Sequence, residues 1–583
     1  MKPSRFATRR FSRRLLARVD SESFPNPNPT LNLNPPVGEI RIKSGIRIRS
    51  RVAAVLLTLA HALLLTACGR REPPADLVII NGAEPESLDP AIITGQPEMR
   101  VVRSMFEGLT RLEPINAAPV PALAQRWDIS ADGTIYTFHI RSNAVWSTGQ
   151  PITAEDVAWS WRRALDPLTA SEYAGQLYFI RNAEEFNTAK TNAATGRLFS
   201  ADDVTVRALD PHTLRVELTG PTPFFLELCA FPTLAVVPRF WIEKHGDRWL
   251  MTPPVPVNGH YELVSWRVHD KIRLRRNPRH YESQLVRSEV VDFLPMESAA
   301  TALNLYLTGA ADIIWDKNLV PSELMDELRR RPDCHLFDYL GTYFIRCNVT
   351  RKPFDDARVR KAIALVLDKR RIVENITKSG EKVASHFTPK GMAVYEPPEG
   401  LGRDVDLALK LLADAGFPGG KGFPAFQYLF KTGEADKQIG VELQAMLKTE
   451  LGITMELRAV EWKVYLSAMS ALDYDVCRSS WIGDYNDPNT FLDMFMSNNG
   501  NNRTGWKNAR YDQLVRDANL QPDAKRRAAM LREAETILVR DELPILPLYF
   551  YAGVNFWRPD QISGLHNNLL DEHPIYSIAR KRK

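Results

Sequence analysis

Residues 337–481 alternate strand-like and helix-like segments, and this alternation restricts the fold more than any other feature of the chain. The run FDYLGTYFIRCN reads as a strand. In KPFDDARVRKAIALVLDKRRIVENI, Val359, Ile363, Val366 and Leu367 fall on one helical stripe, with Asp355 or Asp356 placed to cap it. A second helical run, DLALKLLADAGFP, stops at Gly416, where a glycine past a helix end belongs. A third, DKQIGVELQAMLKTELG, leads into the strand ITMELRAVEW, and 474–481 reads as another strand. Parallel neighbours need a crossover connection, which such helices supply. This half of the chain is therefore expected to be a partly parallel α/β lobe.

The strand 474–481 ends in a polar turn, 483–488, rich in Gly, Asp, Asn and Pro. A helix can start at Pro488 with Asp487 as its cap. Arg478, Trp481 and Asp484 thus lie within seven residues: a cation, an aromatic and a carboxylate that could read both ends of a zwitterion. The same spacing also suits a core tryptophan, a surface arginine and a turn aspartate.

Earlier in the chain, LVIINGAEPESLDPA reads as a strand and turn, and Met99, Val102, Arg103 and Phe106 have helical spacing. Residues 121–149 are strand-rich around an Asp132-Gly133 turn, and the helix AEDVAWSWRRALDP ends at Pro167. Two strands flank a D-P-H turn after residue 203, and LPILPLYFYAGVNFW near the end reads as an aromatic strand pair.

The run W-x-x-D-Y-N-D-P at 481–488 resembles the ligand-strand motif of oligopeptide-binding proteins of ABC importers, a family of extracytoplasmic solute receptors. The string RALDPLTASEYA is similar to the same family, as is the segment around Thr94, Gly95 and Gln96. The resemblance covers about 76 to 580 and implies an α/β, two-lobed periplasmic-binding-protein (Venus-flytrap) fold of the large three-domain type, with mixed sheets and hinge strands. It divides the chain into a basic extension plus lipoprotein signal peptide (1–67), a linker after the lipidated cysteine (68–76), a discontinuous first lobe (77–108, 233–340 and 552–583), a domain added to it (109–232) and a second lobe (341–551). It also suggests a hinge near Pro232 to Val237.

In that family the aspartate of the motif pairs with the peptide's amino group, here Asp484. Ser480 to Ile482 on one side and Thr94 to Gln96 on the other would bind peptide backbone as an added strand, with Gly95 allowing close approach. Arg478 would take the C-terminal carboxylate, or else pair with a neighbour such as Asp475. Tyr173 would face the cleft, and Trp462 would wall a pocket, although each also suits a packing role. Asp436 stands where some members have a histidine that helps read the carboxylate, and would repel one. Some members staple two strands by a disulfide whose matching positions are Gly341 and Ile482, so that staple is absent. The resemblance implies short peptides as ligands, permease and ATPase subunits of an importer as partners, a monomer, and no cofactor. Dipeptides, murein peptides, nickel chelates or sugars are the alternatives within the fold.

Other classes have less support. There is no G-x-S-x-G elbow, H-E-x-x-H helix or phosphate-binding loop, so an extracytoplasmic hydrolase has no residues to name. The five cysteines include no C-x-x-C pair, and no metal site is expected; His260, His335 and His386 read as isolated structural histidines. Residues 1–51 hold 12 Lys and Arg against three acids, so residues 52–583 carry a net −4, which gives no case for nucleic acid. The apolar run 52–65 is short of the roughly 20 residues that span a membrane. Leu65-Thr66-Ala67-Cys68 then resembles a lipobox, which makes Cys68 the acylated, membrane-anchored mature N-terminus outside the cytoplasm.

Overall fold

The computed structural model describes residues 72–392 and 394–581. Cys68 and the leader lie outside the described residues.

One long mixed sheet runs through the molecule. Its strand order is Met455–Val460, Phe426–Lys431, Val476–Ile482, Cys334–Cys347, Ile545–Phe556, Ile313–Trp315, Leu77–Gly82, Val290–Pro295, Lys271–Arg276 and Tyr261–Arg267. Phe426–Lys431 is parallel to both of its neighbours, joined through the helices Glu434–Leu451 and Trp462–Ser470. This is the α/β alternation expected of the second lobe.

The first lobe contains the other end of the sheet. Against it packs a four-stranded antiparallel sheet, in the order Ala124–Ile129, Ile135–Ile140, Thr213–Glu217 and Val206–Asp210. The helix Ala154–Leu165 is started by a reciprocal cap between Thr153 and Asp156. It buries Val157, Trp161 and Leu165 in a core shared with Leu77, Phe138 and Phe225. The second lobe has its own core around Tyr428, Leu443 and Val359, and a further core around Phe344, Phe387 and Phe491 also takes in Leu112, Ala117 and Leu570 from outside that lobe. The molecule is thus two-lobed, with mixed sheets.

Two strands pass from one lobe to the other, Cys334–Cys347 and Ile545–Phe556. Their antiparallel register runs from Cys334↔Phe556 to Asp338↔Ala552, breaks, and resumes from Thr342↔Phe550 to Arg346↔Ile545. Tyr339, Leu340 and Gly341 therefore face Tyr551 alone. The amide of Leu340 instead donates to the Leu569 carbonyl, and its own carbonyl accepts from Gly483, each at 2.8 Å. The sequence reading needs two corrections here. Pro232–Leu234 is a short turn, and Leu234, Val236 and Val237 are packed inside the first lobe's core, so 232–237 is not the crossing. The aromatic strand pair near the end is one continuous strand, because Pro547 falls at a second register shift, where proline's missing donor is tolerated.

Candidate functional site

Val476–Ile482 lies between Cys334–Cys347 and Phe426–Lys431, but the two sides are covered unequally. On the antiparallel side every residue is paired, from Val476↔Cys347 to Ile482↔Gly341. On the parallel side only Val476 and Cys477 have strand partners. Among the described residues, Arg478 to Ile482 therefore keep a backbone edge with no strand beside it. Ser480 and Ile482, the expected backbone readers, lie on that stretch.

Asp484 follows directly and sits where the lobes meet. Gln176 Nε2 donates to its Oδ2 at 3.0 Å, and the Tyr173 hydroxyl lies 3.5 Å from Oδ1, both from the first lobe's added domain. Burial raises the Asp484 carboxyl to about 7, against the opposing effect of these two donors. The group is deep but not sealed, because it opens on a cavity of about 530 Å³. Thr94, Tyr173, Trp481 and Asp493 line the same cavity. Burial, then the neighbouring Asp484 charge, raises the Asp493 carboxyl to about 7 as well. The indole of Trp481 donates to the Thr490 carbonyl at 2.6 Å and packs on the second lobe's core, so its cavity and core roles coincide.

Contacts beside the cavity hold the lobes together. Tyr485 stacks on Phe224 of the first lobe at 4.7 Å and 11°. Arg527 covers the same ring at 5.6 Å while making a bidentate pair with Asp487 at 2.7 Å. The helix begins one residue later than expected, at Asn489 with Pro488 in the cap position, and Asp487 instead closes the turn before it, its Oδ1 accepting from the Asn489 amide at 2.9 Å.

Arg478 and Asp436 form a separate group. Arg478 Nε donates to Asp436 Oδ1 at 3.2 Å, and its guanidinium lies 5.1 Å from the Tyr343 ring centroid. Asp436 also accepts from the Tyr343 hydroxyl at 2.9 Å and has Lys431 Nζ at 3.9 Å. Asp436 is therefore not a free charge that repels a carboxylate, but the partner of the cation expected to bind one. Asp475, the other candidate partner for Arg478, pairs with Arg351 at 3.3 Å.

Of the remaining expected residues, Gly95 precedes the helix Gln96–Met105 with an ordinary extended backbone, φ −96°. A Cβ there would meet the Glu98 carboxylate at 2.1 Å, so this glycine makes room for Glu98. Gln96 opens the helix and does not line the cavity. Trp462 opens a helix too, and its side chain lies outside the described residues. Gly341 is paired directly with Ile482, and the space a side chain would need is filled: a Cβ there would lie 2.9 Å from Tyr551 Cδ2.

Sequence reasoning missed Gln176, Asp493 and Lys317. Gln176 lies three residues past Tyr173 and two past the end of the string RALDPLTASEYA, and that nearness was a usable signal. Lys317 had none; its Nζ lies 3.0 Å from the Tyr551 ring centroid, and burial lowers its pKa to about 7. His260 is not isolated, for it and His280 flank the buried Glu107 at 3.3 and 3.2 Å. His335 bonds to the Trp557 carbonyl and His386 to that of Thr388, as structural histidines do.

Comparison with known proteins agrees with this architecture. Residues 118–503 match the family model described as bacterial extracellular solute-binding proteins, family 5 Middle. The chain is 34% identical over 534 residues to the periplasmic oligopeptide-binding protein OppA of Salmonella typhimurium, covering 88% of this chain and 95% of that protein. Its structure is similar to that of the Escherichia coli murein tripeptide binding protein MppA, with a TM-score of 0.77, 32% identity, and coverage of 88% and 99%. Against the unliganded open form of MppA the TM-score is 0.70, with 31% identity and coverage of 88% and 98%. The chain belongs to the bacterial extracellular solute-binding proteins of family 5.

Proposed function

We propose that this protein is an extracytoplasmic receptor that holds a short peptide between its lobes and delivers it, as a monomer, to the permease and ATPase subunits of an ABC importer. The observation that carries this reading is Asp484: a deeply placed carboxylate at the lobe junction, next to a strand edge with no strand partner. A peptide lying along Ser480 to Ile482 adds a strand to that edge, and its α-ammonium replaces the donors from Gln176 and Tyr173. Thr94 and Trp481 line the space around the first residue. Arg478 reaches a ligand carboxylate only by sharing or giving up Asp436. The similarity to an oligopeptide-binding protein and to a murein tripeptide binding protein supports peptides as the ligand class.

The hinge in this reading is the register break at 339–341 and 551, with the lobes and added domain divided as the sequence suggested. Closure is favoured only by as much as the ligand binds the closed form better.

Calorimetry with di- to hexa-alanine between pH 5.5 and 8 tests the reading. Burial holds the ligand-free Asp484 carboxyl near 7, whereas a bound ammonium favours its charged form. Binding below about pH 7 must then release a proton, so affinity should rise from pH 5.5 to about 7 and then level off or decline towards pH 8, where the peptide's own α-ammonium begins to lose its proton. Affinity that falls between pH 5.5 and 7, or no binding of any length, would overturn the assignment.

The same reading anchors the chain through acylated Cys68, supported by the lipobox-like LTAC after a run too short to span. Cys68→Ser should move the protein from the membrane fraction to the soluble one. Wild-type protein already soluble on fractionation would exclude the anchor. One acyl chain gives only marginal binding, so more than one is implied.

A further inference from the structure

We infer that Lys317 is a ligand-binding residue whose ammonium takes a carboxylate of the bound ligand, either the C-terminal one or an acidic side chain. The inference rests on the reading of the cleft as a peptide site and adds to it a cation from the opposite lobe.

Lys317 follows the first-lobe strand Ile313–Trp315 and opens a short turn, Lys317–Leu319. Its stem is partly exposed, but its Nζ is enclosed and has no hydrogen-bond partner among the described residues. It lies between two tyrosine rings, 3.0 Å from the centroid of Tyr551 and 5.2 Å from that of Tyr339. Three acids act on it electrostatically, Asp316, Glu381 and Asp571, and each is already engaged. Asp316 accepts from the Asn318 amide, Glu381 from the Ser379 amide and Thr377 hydroxyl, and Asp571 from Asn555 and His573.

Tyr551 connects this cation to the motif strand. The missing Cβ of Gly341 lets the ring settle beside Ile482 and the Trp481 carbonyl, and its hydroxyl interacts with Ser480. Lys317 is therefore one aromatic ring away from the backbone edge along which the peptide is placed. Arg478 is paired directly with Asp436, whereas Lys317 feels Asp316, Glu381 and Asp571 only at a distance, and among the described residues no carboxylate lies within ion-pair reach of its Nζ. A desolvated cation gains little from an aromatic face compared with a carboxylate. The four rotatable bonds of lysine let the ammonium leave the ring for such a group.

The test is a calorimetric comparison of tri- and tetra-alanine, their C-terminal amides, and amidated tripeptides carrying one Glu or one Gln. Wild type, Lys317→Met, Lys317→Gln and Lys317→Arg are titrated with each. Lys317→Met should weaken a carboxylate-bearing peptide by about tenfold or more while changing the matched neutral peptide by less than about threefold, and Lys317→Arg should keep most of the difference. Discrimination lost between free and amidated ends assigns the C-terminal carboxylate; lost between Glu and Gln, it assigns a side chain. Equal effects on charged and neutral peptides in both the Met and Gln variants overturn the proposal while leaving the peptide reading intact. Removing an unpaired buried cation should leave the urea midpoint unchanged or higher, which separates loss of binding from loss of folding. If wild type binds none of these peptides, the peptide reading and this proposal fall together.

Discussion

Replacing Asp484 by alanine is expected to lower peptide affinity by roughly a hundredfold or more, since breaking a buried ion pair costs about 3–5 kcal/mol and each tenfold in affinity is about 1.4 kcal/mol. Two features make the estimate apply here. The carboxylate is deep enough that burial, even against its two donors, raises its pKa to about 7, so an ammonium bound beside it would be only weakly screened once the ligand fills the cavity. Its two donors, Gln176 and Tyr173, are neutral and cannot stand in for a cation. The variant loses an anion and gains cavity, so Asp484→Asn should separate charge from shape and show nearly the same loss. N-acetylated peptides, which lack the ammonium, should bind wild type weakly and respond little to either substitution. A loss under about threefold, or equal wild-type affinity for acetylated and free peptides, would remove Asp484 from the ammonium site.

The largest effect on stability is expected from Glu107→Ala, a loss of about 3–5 kcal/mol read from urea midpoints. Glu107 is fully enclosed, and burial by itself would raise its pKa. The hydrogen bond and charge of His280 and the charge of Arg111 outweigh burial and hold the carboxyl well below the usual range, while burial keeps the adjacent His260 imidazole largely uncharged. The Tyr281 hydroxyl at 2.7 Å completes the set. Removing the carboxylate takes the acidic partner from His280 and one of two carboxylates from Arg111, which also pairs with Glu282. A depressed carboxyl contributes its stability above its unfolded pKa, so the difference between wild type and Glu107→Ala should be full at neutral pH and shrink progressively as pH falls below about 5. Glu107→Gln keeps the shape and should lose less. A neutral-pH loss below about 1 kcal/mol for the alanine variant would show that the network stabilises little.

The sequence revealed what local spacing controls. The helix stripe of Val359, Ile363 and Val366, the stop at Gly416 and the strand before Asp484 all appear within two residues of their expected places. Contacts set by the tertiary fold were not legible in the same way. Arg478 and Asp436 are 42 residues apart on different elements, and no period links them. Lys317 looked like any surface lysine because its neighbours, Tyr339 and Tyr551, are brought to it by two strands that meet only in the folded sheet. The stretch Ile545–Phe556 reads from its sequence as a strand pair, yet it folds as one strand. Pro547 sits where the ladder already shifts, and Gly553 is needed because the Phe337 ring lies 2.1 Å from where its Cβ would be.

The break in the crossing strands also bears on wear. Tyr339, Leu340 and Gly341 contribute no rungs to the ladder with Ile545–Phe556, and Leu340 has one backbone bond to Leu569 in the first lobe and one to Gly483 in the second. A swing of the lobes about this point would flex a stretch with no rungs to Ile545–Phe556, leaving Gly341 held to Ile482, rather than unzip the two crossing strands. Each loading cycle would then leave the sheet closed to intruding chains, since no fresh strand edge appears at the pivot. A receptor that opens and shuts many times in its life would avoid exposing, at every turn, the surface on which aggregation starts.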